Sequence, residues 1–361
     1  MSTPPVPGEL RVAASWAWRS AVIALVVVLA VRALADIRVV VVPLLVALLV
    51  ATQLHPVAQR LRTRGAGRAL AALVVVGGAG TVLAGVLAVL APAVVRELDD
   101  LGESVGEGIR RVAQWAADAG LGVDPEAGAG DLVAALRDNA ETLSGGAVAG
   151  AMVAVEILAG LALLVVFTFF LVKDGDDMWR WLGARLPDGS RAGAEELGRR
   201  LWRTLGLYVR GLVVVAAFDA VLIALALWVI GVPLVIPLAV LTFLAAFIPV
   251  LGAWLAGAAC ALVALVALGP QEALLVVAAT VVVQQLESNV LHPVVMGRAL
   301  ALHPMLILAV VSVGGILGGV LGAALAPPIA AAAVATGSFL RQWRREADGA
   351  RRQLTPEAAA S

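Results

Sequence analysis

A single cysteine, Cys260, is all that the 361-residue sequence contains, so no disulfide can close within the chain and cysteine usage reveals nothing of the redox compartment. Charge is equally scarce: Asp, Glu, Lys and Arg make up 14% of the residues, against about a quarter in ordinary soluble domains. That shortage excludes a conventional solvated globule. Formal net charge is zero, which gives no reason to expect a nucleic-acid partner. Catalytic signatures are missing too: no G-x-S-x-G, H-E-x-x-H or P-loop pattern occurs, so neither an intramembrane hydrolase nor an ATP-driven pump is expected. Two of the three His-Pro steps, His292-Pro293 and His303-Pro304, have no cysteine or third histidine near them in sequence, so they predict a shaped connection and no metal site. The acidic run "KDGDD" at 173 to 177 lacks the remaining spacing of a calcium loop and reads as a solvated helix end. No cofactor and no enzymatic activity are expected.

What fills the chain is apolar. Hydrophobic residues reach 61% and mean hydropathy is +0.97, which predicts an all-α, polytopic membrane protein. Apolar segments fall near 13–35, 37–53, 68–92, 148–172, 206–231, 234–268, 271–290 and 305–340, or about six to eight membrane segments. The stretch from Val12 to Ala35 is followed at once by another, Val39 to Thr52, so it reads as an uncleaved anchor.

Orientation follows from the basic residues of the connections. "LHPVAQRLRTRGAGR" carries Arg60, Arg62, Arg64 and Arg68 without an acid and is expected in the cytoplasm. The 93–147 connection is strongly acidic and is expected outside, and the basic 173–205 connection returns inside. Both termini are then cytoplasmic and the membrane is the plasma membrane. The predicted divisions are three N-terminal segments over 1–92, an extracytoplasmic region over 93–147, a transport core over 148–340 with a cytoplasmic helical connection at 173–205, and a basic tail at 341–361.

Within 93–147, Val94, Val95, Leu98, Leu101, Val105, Ile109, Val112 and Trp115 recur at spacings of three and four, which predicts an amphipathic helix. It reads as a cap on the membrane domain or on a neighbouring subunit, with a ligand-binding outer domain as the alternative.

Two apolar segments are overlong. Leu234 to Leu268 has no charged residue over thirty-five positions, and as one helix it would be roughly 52 Å long, against a hydrocarbon core of about 30 Å. Pro249 and Gly252 lie at its centre, in "FIPVLGAWLAG". Met305 to Leu340 is similarly uncharged and is interrupted by "GGILGGVLG" and by Pro327 and Pro328. Each is either a kinked, tilted span or a re-entrant pair of half-helices. If both are hairpins, the first opens from outside and the second from inside, and the C-terminus still ends in the cytoplasm. Gly314, Gly318 and Gly322, with Gly315 and Gly319, form ladders spaced by four that allow close backbone approach.

Ionisable groups in apolar spans are costly and so informative. Glu156, Asp219 and Glu287 qualify as candidates for ion coupling, and Asp219 has Arg210 as a candidate partner. In "QQLESNVLHP", Gln284 and Glu287 are three apart and Gln285 and Asn289 four apart, a polar stripe that either lines a pathway or makes an interhelical network. The candidate substrate pathway is therefore Gln284, Gln285, Glu287, Asn289, Pro249, Gly252, Gly314, Gly315 and Gly318.

"FFLVKDGD" (169–176), "YVRG" (208–211), "FIPVLG" (247–252), "QQLESNVLHPVVMGRALALHP" (284–304) and "VGGILGGVLGAALAPPIAA" (313–331) follow one another in an order that resembles the autoinducer-2 exporter family of bacterial permeases. The chain departs from the family pattern at Leu212, where Gln is common, and at Ser288, where Asn is usual. The resemblance implies an oligomeric plasma-membrane permease that hydrolyses no ATP, whose partners are a small-molecule or ion substrate, the lipid bilayer and other copies of itself. The expected function is secondary transport of a small polar metabolite or signalling molecule. The alternatives are sodium/proton antiport through the buried carboxylates and a non-transporting membrane scaffold.

Overall fold

The computed structural model describes residues 37–86, 146–248, 251–296 and 304–353, with scattered positions before residue 37 and residue 88. Nearly all of the 93–147 region, most of the first apolar segment, Pro249 and His303 lie outside the described residues, so the expected amphipathic helix falls there. Among the described residues there is no strand. The elements are α1 (Arg38–Thr63), α2 (Arg68–Val86), α3 (Gly146–Gly183), α4 (Asp188–Ile230), α5 (Val235–Ala245), α6 (Leu251–Ala267), α7 (Pro270–Leu286), a π-helical segment (Glu287–Met296) and α8 (Pro304–Gln353). Among the described residues six helices are long and apolar enough to cross a membrane, and the protein is an all-α polytopic membrane protein.

Helix is the outcome that hydrocarbon demands, because each backbone N–H and C=O must find its partner within the segment. Threonines in these runs obey the same rule: Thr242, Thr280 and Thr336 return their hydroxyl protons to the carbonyls of Leu238, Val276 and Ala332 at 2.8, 2.9 and 2.8 Å. The basic connections are helical as well. α1 runs past Thr52 to Thr63, and α3 and α4 together turn most of 173–205 into helix around a short turn at 184–187.

α4 is the mast of the structure, packing against α1, α3, α5, α7, the π-helical segment and α8. Leu205, Tyr208, Val215, Ala216, Asp219, Ile223 and Leu227 recur at three and four residues and form its buried face. Its outer part carries one apolar core, in which Ile223 and Leu227 meet Val232, Leu238 of α5, Cys260 and Ala264 of α6, and Val276 and Val283 of α7. Gly231 ends the helix. Its φ of 87° turns the chain, and the N–H of Val232 reaches back to the Leu227 carbonyl at 2.9 Å.

Both overlong segments are broken. Leu238 shares a core with Cys260 and Ala264, residues that lie more than 30 Å away along a continuous helix at about 1.5 Å per residue. The chain therefore reverses between α5 and α6. Gly252 sits against the end of α5, where any side-chain carbon would collide with the Ala245 carbonyl. α8 reverses as well. Gly318 and Gly319 leave helical geometry, Gly319 at φ 60° and ψ −147°, a region that essentially only glycine occupies. A carbon added at Gly322 would strike the carbonyl of Gly314, eight residues before it, whereas a straight helix would separate the two by about 12 Å. Helix length alone makes Met305–Trp343 a single span, but this backbone contact makes it a hairpin.

Candidate transport site

Both broken segments pack on α4 or share its core, and the first of them, α5–α6, meets the buried face that continues from Asp219 to Ile223 and Leu227. Asp219 is 4% exposed and lies four residues, about 6 Å along the axis, before Ile223 of the apolar core. An ionisable group so placed is costly in hydrocarbon. Arg210 serves a different neighbour: its Nε donates to Gln53 Oε1 on α1 at 3.3 Å, and Gln53 in turn donates to the Gly206 carbonyl at 3.0 Å. This polar seam between α1 and α4 had no signal in the sequence beyond a lone glutamine at the end of an apolar run.

Glu287 opens the π-helical segment, which packs on α4. The widened turn contains Pro293, whose missing amide hydrogen cannot continue the α-helical ladder. Gln284 and Glu287 are half-buried, while Gln285 and Asn289 are exposed and joined by a hydrogen bond from Asn289 Nδ2 to Gln285 Oε1 at 3.2 Å. The predicted stripe is thus two faces: Gln284 and Glu287 turn towards the protein, and Gln285 and Asn289 turn away from it.

The glycines divide in the same manner. Gly252 is buried against α5, and Gly314 presses on Gly322 and Ala326. Gly315 faces Ala323 at ordinary contact distance, and Gly318 stands in the open reversal. Glu156 is exposed near the start of α3, apart from Asp219 and Glu287.

A second polar zone gathers at the arginine-rich ends of α1 to α4. Arg62 Nη2 of α1 donates to the carbonyls of Val172 and Lys173 on α3 at 2.5 and 3.2 Å. Arg68 of α2 binds Asp177 at 2.6 Å, and Arg180 binds the other oxygen of the same carboxylate. The acidic run at 173–177 is therefore used to dock α3 on its neighbours. These ion pairs are exposed and contribute little, so the bond from half-buried Arg62 matters more. Sequence reasoning counted these arginines only as orientation marks.

The chain is similar to known transport proteins. One from Mycobacterium tuberculosis (strain CDC 1551 / Oshkosh), named as a candidate transport protein, is 35% identical over 326 residues, covering 89% of each chain. YrrI and YueF of Bacillus subtilis (strain 168), named in the same way, are 27% identical over 186 residues and 28% identical over 170. They cover 52% and 45% of this chain, and 52% and 46% of their own lengths. The sequence profile described as AI-2E family transporter matches residues 21–342, nearly the whole length in which these helices lie, and the chain belongs to that family.

Proposed function

We propose that the protein is a secondary permease that carries a small polar solute, a metabolite or signalling molecule, across the plasma membrane. The observation that carries this reading is the pair of reversed apolar hairpins, α5–α6 and α8, both packed on the mast that holds Asp219. A reversal within hydrocarbon frees backbone groups from the helical ladder, and protein, water or a solute must satisfy them. The turn after Ala245 and the bend at Gly318 and Gly319 supply such groups, and Gln284 at the end of α7 and Glu287 just after it add polar side chains that are half-buried. Movement of the hairpins against α4 would open the route to each side in turn. The charge pattern of the connections supports a cytoplasmic position for both termini.

Sodium/proton antiport is the second reading, and buried Asp219 is the observation that favours it. Purified protein in liposomes with an internal pH-sensitive dye separates the two. The permease reading expects no proton movement on sodium or lithium pulses and an uptake signal in a screen of small metabolites. A sodium-evoked proton flux that disappears in Asp219→Asn would overturn it in favour of antiport.

A further inference from the structure

His55 sits at 7% exposure where α1, α3 and α4 meet. Each helix contributes to its surroundings. From α1, Gln59 Nε2 lies 2.9 Å from His55 Nε2. From α3, Asp176 Oδ2 lies 3.7 Å from the same nitrogen. From α4, the Trp202 ring stands edge-on with its centroid at 5.6 Å. Nδ1 is shut off from water and has no hydrogen-bond partner among the described residues.

The remaining charges of this junction are already engaged. Arg62 of α1 donates to α3 carbonyls, Lys173 of α3 pairs with Asp174 at 3.0 Å, and Arg68 of α2 is held by Asp177. On α4, Arg199 and Arg200 share Glu196. Asp176, more than half exposed, is the carboxylate that faces the ring.

A neutral imidazole offers one donor and one acceptor. With the Gln59 amide donating to Nε2, the ring proton belongs on Nδ1, where no described residue accepts it. Taking up a proton makes both nitrogens donors. The Gln59 N–H must then turn away and present its carbonyl, and the Asp176 carboxylate has a cation to close upon. Imidazole is the side chain whose charge ordinarily changes between pH 5 and 8.

We propose that His55 is a proton-binding site at the arginine-rich end of the bundle. A proton delivered from water by way of Asp176 reverses the Gln59 amide and draws α3 onto α1, and the Trp202 contact passes the change to α4. The ligand is the proton alone, and no bond other than N–H is made. The inference does not depend on the transport reading, because protonation is read without any solute.

The test uses the full chain in nanodiscs. The sequence holds three histidines, so the double variant His292→Gln/His303→Gln leaves His55 as the sole imidazole, and its ring carbon and nitrogen resonances are followed from pH 5 to 8 in isotope-labelled protein. Tryptophan emission of the same protein minus that of its Trp202→Phe derivative isolates Trp202. The expected result is that the ring resonances and the Trp202 emission change together over this range, and that Asp176→Asn weakens the coupling between them. An imidazole that stays neutral throughout, or Trp202 emission that follows pH equally well in His55→Gln, overturns the proposal.

Discussion

Gly314 and Gly322 meet backbone to backbone across the reversal at Gly318 and Gly319, with Ala326 closing on Gly314 from the same arm. Neither position has room for a side chain, because the obstacle is a carbonyl of the main chain, which cannot swing aside as a rotamer can. The two arms of α8 are held at glycine distance, and the shape of the hairpin follows from that distance.

Gly322→Val should force the arms apart, cost about 1–3 kcal/mol by overpacking and abolish flux. Gly315→Ala, which meets only Ala323 at 3.9 Å, should melt and transport like wild type. Thermal unfolding in detergent and uptake in vesicles check both, and a Gly322→Val protein with wild-type behaviour would refute the hairpin.

Arg62→Met removes the charged donor that ties α1 to the Val172 and Lys173 carbonyls. A loss of about 1.5–3 kcal/mol is expected, since the bond involves a charged group and is largely screened from water. Arg60→Met, on the exposed side of the same helix, should change stability by less than about 0.5 kcal/mol. The comparison of melting temperatures decides whether Arg62 has a structural task beyond its charge.

Glu287→Gln should reduce solute flux by about tenfold while leaving the melting temperature unchanged, because the residue is only half-buried and the amide keeps its shape. Gln285→Ala, on the face turned away, should transport normally apart from losing its bond to Asn289. Equal flux in all three proteins would take the polar segment out of the pathway.

Cys260 is fully buried, within hydrogen-bonding reach of Thr242 on the facing arm of the first hairpin. A maleimide should therefore label the native protein slowly and the unfolded protein completely. Rapid labelling of native protein in membranes would show that α5 and α6 part on the reaction timescale.

The class of fold was legible because hydrocarbon leaves helices as the only open solution, and the long apolar runs announce it. Pro249, Gly252 and the Gly314–Gly322 ladder located both breaks. They did not tell a kink from a reversal, because periodicity reports which face a residue occupies and not which way the chain runs. For the site, Asp219 was found by its cost and is buried as expected, while the expected Arg210 partnership gives way to Gln53. The split between Gln284 with Glu287 and Gln285 with Asn289 follows from about 100° per residue, but the π-helical turn beginning at Glu287 has only Pro293 as a sequence cue. His55 and Arg62 were hidden for a plainer reason. In a stretch read for net charge, a buried ring and a guanidinium bound to carbonyls look the same as solvated neighbours.

The Arg62 bond to Val172 joins residues 110 apart in the sequence. It acts as a clasp on a long ring of chain that includes α2 and everything between α2 and α3. The entropy of closing such a ring grows only logarithmically, by about 0.6 kcal/mol per doubling of its length. The stretch opposite the clasp can therefore be lengthened, exchanged or fitted with a reporter domain at little thermodynamic cost, while α4 and its hairpins stay unchanged.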